Sequence, residues 1–192
     1  EKTFVENHKN LIHVSIHAGV GAGIILDHHL YTGFAGTAGE AGHMIVQPGG
    51  RSCPCGNHGC LEQYISEPAV LSRYQELSGR TTVSIDDLVW SHNQKEADAL
   101  AVVDEFTTYL ACGINNLWNL FSPECIILNS QLTAYLPQLL PEILQKLSPR
   151  FRATCQLKLS TLQDTGVLLG AARVCISKYL GIEKLYFSGF QP

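Results

Sequence analysis

Basic residues are scarce in this chain of 192 residues: 13 lysines and arginines stand against 17 aspartates and glutamates, for a formal net charge of −4. That balance gives no electrostatic basis for direct binding to nucleic acid or to an anionic membrane surface. No uninterrupted apolar run is long enough to span a bilayer, so no membrane partner is expected. No secretory leader is expected. Glu1-Lys2-Thr3-Phe4 reads as an internal start, which predicts a processed or excised piece of a longer protein. What remains is a composition of 45% hydrophobic and 16% charged residues, that of a soluble globular domain. The length suffices for one sizeable core or two small ones.

The cysteine pattern argues against a disulfide framework. The seven cysteines are an odd number, and three of them sit together with a histidine. Cys112, Cys125, Cys155 and Cys175 lie scattered among apolar neighbours and are expected to act as small core residues. This usage favours a reducing cytoplasm.

Strands and helices alternate along the chain, which predicts an α/β layer fold without solenoid repeats. Leu11 to Ile16 reads as a strand, the glycines of 19–23 as a break, and 24–26 with 30–32 as a hairpin turning at Asp27-His28-His29. Residues 33–62 read as loop with a short strand at 44–46. Ser66 with Pro68 opens a helix to Gly79, and Ser84 with Asp87 opens another. Asn93 with Glu96 opens a long helix, whose Ala99, Val103, Phe106, Leu110, Ile114, Leu117 and Phe121 recur at steps of three and four before Pro123. A buried strand follows at 124–129 and a Pro-broken helical stretch at 133–148. A strand at 156–160 and a helix from Thr165 to Leu180 complete the reading.

Chemistry concentrates in residues 40–62. His43, Cys53, Cys55 and Cys60 make a closed Cys3His set suited to structural zinc, since thiolates are soft and imidazole borderline. Gly56 and Gly59 let the chain fold back so that Cys60 reaches the same ion. The competing readings are a catalytic zinc with an open position, and unrelated thiols in a loop. Glu40 and Glu62 bracket the cluster. They read either as solvated carboxylates or as acceptors for sugar hydroxyls, with the second ring nitrogen of His43 free to join them. The other histidines, His17 among them, read as surface or core residues. The turn His17-Ala18-Gly19-Val20-Gly21-Ala22-Gly23 could cradle a phosphate on the N–H groups of Gly19, Gly21 and Gly23, or be a tight turn alone. It is neither a P-loop nor a Rossmann fingerprint.

In order, Gly-Val-Gly-Ala-Gly, Gly-Glu-Ala-Gly-His and Cys-Pro-Cys-Gly-Asn-His-Gly-Cys-Leu-Glu closely resemble the ROK family of repressors, open reading frames and sugar kinases. The resemblance implies an actin-like, ribonuclease-H-like sugar-kinase fold, of which residues 1–192 are the C-terminal portion with a zinc-bound loop. It implies His43, Cys53, Cys55 and Cys60 as zinc ligands, and Glu40, His43 and Glu62 as holders of sugar hydroxyls. Gly19, Gly21 and Gly23 match a phosphate loop. Partners implied are a sugar or sugar phosphate, a second copy in a homodimer or tetramer, and DNA only through an absent N-terminal winged helix-turn-helix.

Two departures choose a branch within that resemblance. ROK kinases usually show Gly-Thr-Gly where this chain has His17-Ala18-Gly19, so a hydroxyl donor is lost. They tend to have Gly-Gly or Gly-Ser after the Ile-Ile-Leu strand, where this chain has Asn129-Ser130. The expectation is a sugar-sensing, oligomerising domain of a ROK-type transcriptional repressor. A fragment of an ATP-dependent sugar kinase is the alternative, and a zinc-stabilised scaffold without a ligand site the third reading.

Overall fold

The computed structural model describes residues 8–162 and 165–181. The opening Glu1-Lys2-Thr3-Phe4 segment lies outside them. The chain divides into two compact units, Glu1–Ser160 and Thr161–Pro192, described separately below.

The first unit is built on β1 (Leu11–Ile16), in which Ile12, Val14 and Ile16 are buried while His13 and Ser15 on the other face are partly exposed. β1 pairs antiparallel with β2 (Val20–Leu26), from Leu11↔Ile25 to Ile16↔Val20. It pairs parallel with β4 (Cys125–Ser130), from Leu11↔Cys125 to Ile16↔Ser130. With β3 (His29–Leu30) and β5 (Gln156–Leu159) at the edges, the sheet order is β3-β2-β1-β4-β5. The hairpin between β2 and β3 turns on Asp27 and His28, both at positive φ (49° and 65°), as a type I′ loop requires. Asn10 Oδ1 accepts the Asp27 N–H, and the Lys9 carbonyl accepts that of His28, which holds the turn without a glycine.

The helices follow from local signals. After the single turn α1 (Glu62–Ile65), α2 (Glu67–Ser78) starts at Ser66, whose Oγ accepts the Ala69 N–H, and stops at Gly79 in the left-handed region. α3 (Ile85–Asn93) carries a complete capping box between Ser84 and Asp87. α4 (Ala97–Phe121) buries Ala99, Val103, Phe106, Leu110, Ile114 and Leu117. The main core joins that stripe to the Ile12, Val14 and Ile16 face of the sheet. α5 (Gln131–Tyr135), α6 (Leu139–Lys146) and α7 (Pro149–Thr154) complete the unit. In the second unit, α8 spans Thr165–Leu180, and Gly181 follows at φ 64°.

Three local expectations are corrected. The glycine run is not one open turn, because β2 begins at Val20 and takes in Gly21 and Gly23. The strand at 44–46 reduces to a single bridge, Ile45↔Cys60. Asn93 ends α3; the cap of α4 is Glu96, after Lys95 has turned the chain at φ 61°. Glu96 makes no side-chain cap because its carboxylate pairs with Arg80 at 3.1 Å. As its prolines predict, the stretch 133–148 is broken, with α5 and α6 on either side of Pro137; α7, with Ser148 as cap, is an additional helix. Cys125 and Cys155 are buried as expected, whereas Cys175 is exposed. Burial pushes the Cys125 thiol up to about 11 and the Cys155 thiol up to about 12, which keeps both unreactive.

Candidate metal centre

The segment between Met44 and Leu61 folds into a narrow loop whose two sides are tied by backbone hydrogen bonds. Leu61 N–H donates to the Met44 carbonyl, Gly59 N–H to Arg51, and Cys53 N–H to Asn57. Gly59 has φ 83°, and a Cβ there would lie 1.7 Å from the Gln47 carbonyl oxygen, so only glycine closes this loop.

The closure assembles the four sequence candidates. The ligand atoms of His43, Cys53, Cys55 and Cys60 all lie within 4.8 Å of one another. Cys55 Sγ and Cys60 Sγ are 3.7 Å apart, and His43 Nδ1 and Cys53 Sγ are 3.6 Å apart. A tetrahedral zinc with ordinary bond lengths would separate two sulfurs by about 3.8 Å and a sulfur from a nitrogen by about 3.6 Å. The donor set therefore fits zinc in number and softness, and these two pairs already stand at tetrahedral separations. Cys55 is exposed, and the Asn57 backbone N–H leads in drawing its thiol down to about 7. Cys60 is buried, and burial leads in pushing its thiol up to about 12. A divalent cation reverses that penalty by holding the thiolate form.

With Nδ1 turned to the thiols, His43 Nε2 lies 3.8 Å from Glu40 Oε2. That separation suits electrostatic attraction and exceeds a direct hydrogen bond. The 40–43 segment is seated on β2: Ala22 N–H donates to the Gly39 carbonyl at 2.7 Å, and a Cβ on Gly42 would come within 2.4 Å of the Val20 carbonyl oxygen. Glu62, at the first position of α1, reaches the same strand from its own loop. Its Oε2 accepts the Val20 N–H at 3.0 Å, and a Cβ on Gly19 would stand 3.1 Å from that oxygen. Both carboxylate-bearing segments thus close on Val20.

The same contacts show how the glycines of the phosphate-loop expectation are placed. Val20 and Ala22 direct their N–H groups away from β1, to Glu62 and Gly39. In an antiparallel pair this alternation turns the backbone groups of Gly21 and Gly23 toward their β1 partners Ser15 and His13. Inside the ladder those groups face β1. Gly19 alone stays in the connecting turn, where its carbonyl accepts the His17 N–H.

Sequence reasoning missed what holds that turn. His17 is not an unpaired histidine: Nδ1 lies 3.3 Å from Glu67 Oε1, and the His17 carbonyl accepts the Glu67 N–H at 2.9 Å. Its Nε2 is buried without a hydrogen-bond partner. Nothing in the spacing of His17 and Glu67 announced their meeting, which depends on α2 docking beside the hairpin. Also missed were Arg51, Gln63 and Tyr64, which brace the loop from behind.

Comparison with known proteins agrees with this architecture. The ROK family matches residues 2–178. The xylose repressor of Bacillus spizizenii is 35% identical over 191 residues, covering 96% of this chain and 49% of the repressor. The chain spans about half the length of the curated relatives it matches. Among solved structures, a ROK family transcriptional regulator homologous to the E. coli MLC protein superposes with a TM-score of 0.71 at 32% identity, covering 91% of this chain and 47% of that one. A ROK glucokinase from Streptomyces griseus, solved with glucose and AMPPNP, shares the fold at a TM-score of 0.78 and 24% identity, covering 88% of this chain and 61% of its own. On these matches, and on the α/β sheet with its His-Cys loop, the chain belongs to the ROK family.

Proposed function

We propose that this chain is the sugar-sensing part of a ROK-type transcriptional regulator, stabilised by structural zinc on His43, Cys53, Cys55 and Cys60. When bound, zinc cross-links the loop and neutralises its thiolates. Glu40, the outer nitrogen of His43, and Glu62 then offer acceptors and one donor to sugar hydroxyls. The names of the relatives at 33–35% identity, both xylose repressors, favour an aldopentose such as xylose. DNA would be contacted by a winged helix-turn-helix outside this chain, in a homodimer or tetramer. The sugar acts as effector only if it binds one arrangement of the protein more tightly than the other.

The observation that carries the regulator reading is the state of the β1–β2 hairpin tip. Glu62 accepts the Val20 N–H and Glu67 accepts from His17, so carboxylates face both sides of the turn where a kinase would hold phosphate. The glycine N–H groups of Gly21 and Gly23 are turned into the sheet. A nucleotide γ-phosphate would meet negative charge there and find few donors. The same charge favours a neutral sugar over a sugar phosphate. The kinase reading has the fold in its support but lacks these donors.

Calorimetry on the intact protein tests the proposal. Xylose or another neutral aldose should bind, and ATP should neither bind tightly nor turn over in the presence of that sugar. Sugar-dependent release of ADP would instead establish the kinase.

A further inference from the structure

Gln63 has three separate attachments around the metal loop. Its backbone N–H donates to the carbonyl of Cys60 at 3.0 Å. Its backbone carbonyl accepts from Arg51 Nη1 at 2.8 Å. Its side-chain Nε2 approaches Cys53 Sγ at 3.7 Å, within the range of an N–H···S contact. One residue therefore touches two of the three cysteines and grips the segment that leads into the first.

Arg51 is itself fixed on every side. Its backbone N–H donates to Tyr64 Oη at 3.0 Å, and its guanidinium lies 4.6 Å from the centre of the Tyr64 ring. The opposite contact of Tyr64 is Tyr109 of α4, stacked at 4.0 Å. Arg51 Nη2 also pairs with Glu105 of α4, whose other oxygen accepts from Arg73 Nε at 3.1 Å. The route from Cys53 through Gln63 and Arg51 to Glu105 thus runs from a candidate zinc ligand into α4, the longest helix among the described residues.

We propose that Gln63 is a positioning residue of the metal centre, whose amide N–H steadies the Cys53 thiolate, with Arg51 and Glu105 fixing Gln63 in turn. This rests on the zinc reading of the loop. Three thiolates and an imidazole around a divalent ion leave one net negative charge, and a donor aimed at a sulfur disperses it. Groups in this outer layer orient ligands and set how tightly a metal is held. Gln63 directly follows Glu62, so the same turn of α1 that steadies the metal also presents the carboxylate that holds Val20.

The test is zinc release from the intact protein to a chromophoric chelator, followed in wild type, Gln63→Leu and Gln63→Glu. Loss of the donor in Gln63→Leu should speed release about tenfold, the lower end of the usual outer-layer effect. Gln63→Glu, which sets a carboxylate beside a thiolate, should speed it further. Cobalt-substituted protein adds a direct readout, because the thiolate-to-cobalt absorption should shift in Gln63→Leu if the N–H···S contact exists. Should Gln63→Leu not fold, Gln63→Asn, whose shorter amide falls away from Sγ, carries the same comparison. Release rates within a factor of two of wild type, with an unshifted cobalt spectrum, would overturn the proposal while leaving the zinc reading intact. Wild-type protein purified without zinc or cobalt affinity would overturn both.

Discussion

The backbone N–H of Val20 donates to the carboxylate of Glu62 at 3.0 Å, across 42 residues of sequence. This bond ties the helical end of the metal loop to the tip of the β1–β2 hairpin. Gly42 presses on the Val20 carbonyl from the other segment, so the peptide groups of one residue receive both arms of the loop. The relationship shows how the loop that carries the candidate metal ligands fixes the Glu62 carboxylate against the sheet, and it identifies where single substitutions should matter.

Glu62→Gln keeps the shape of the side chain and removes its charge. Hydrogen bonds to a charged partner are worth about 1.5–3 kcal/mol, so sugar affinity in the intact protein should fall at least about tenfold. Zinc content by elemental analysis should remain unchanged. Retention of full affinity would remove Glu62 from the sugar site, and binding lost together with zinc would make its role structural.

The protein purified without chelator should contain close to one equivalent of zinc. Less than about half an equivalent counts against a structural site. Cys55→Ser should aggregate or become sensitive to limited proteolysis between residues 44 and 61, with sugar binding lost as a consequence. A folded, sugar-binding Cys55→Ser protein would refute this order of dependence.

Gly59→Ala should be more harmful than its size suggests. The backbone at φ 83° disfavours any side chain, and the new Cβ would collide with the Gln47 carbonyl oxygen. Denaturant unfolding should show a loss of about 2 kcal/mol or more. Gly49→Ala offers the comparison, since its φ of 70° carries strain but nothing stands within 4 Å of its Cβ. It should cost less.

The capping box of α3 gives a pH dependence with a definite sign. The Ser84 hydroxyl, followed by the Ser84 N–H, holds the Asp87 carboxyl below its usual range. A depressed carboxyl stabilises the fold above its unfolded pKa, and that contribution is lost as pH falls through the folded value. Ser84→Ala should cost about 1 kcal/mol near neutral pH. The gap between wild type and Asp87→Asn in denaturant unfolding should be present near neutrality and close below about pH 4. A gap that widens in acid would contradict the assignment.

Much of the fold was legible because it rests on local rules. Ser66, Ser84 and Gly79 mark helix ends by the hydrogen bonds or backbone angles their side chains permit, and the stripe from Ala99 to Leu117 follows helical periodicity. The start of α4 was misplaced because Asn93 and Glu96 mimic a cap, while Glu96 is drawn to Arg80 through space. α7 was overlooked although Ser148-Pro149 is a recognisable start, with Ser148 Oγ accepting the Phe151 N–H at 3.2 Å. The hairpin glycines look like one loop in the sequence because glycine permits a turn without requiring it; the ladder with β1 decides otherwise.

For the site, residue chemistry and short spacing singled out the candidate metal set, since His43, Cys53, Cys55 and Cys60 lie within 18 residues and glycines permit the fold-back. The family motif likewise singled out Glu40 and Glu62. Only tertiary structure decided that Glu62 meets Val20, that Glu67 holds His17, and that Gln63 joins Cys53 to Arg51 and α4. Those partners are separated by long stretches of chain, and a contact at such range depends on how helices dock against the sheet. Sequence pattern records which groups are available. Packing fixes which of them meet.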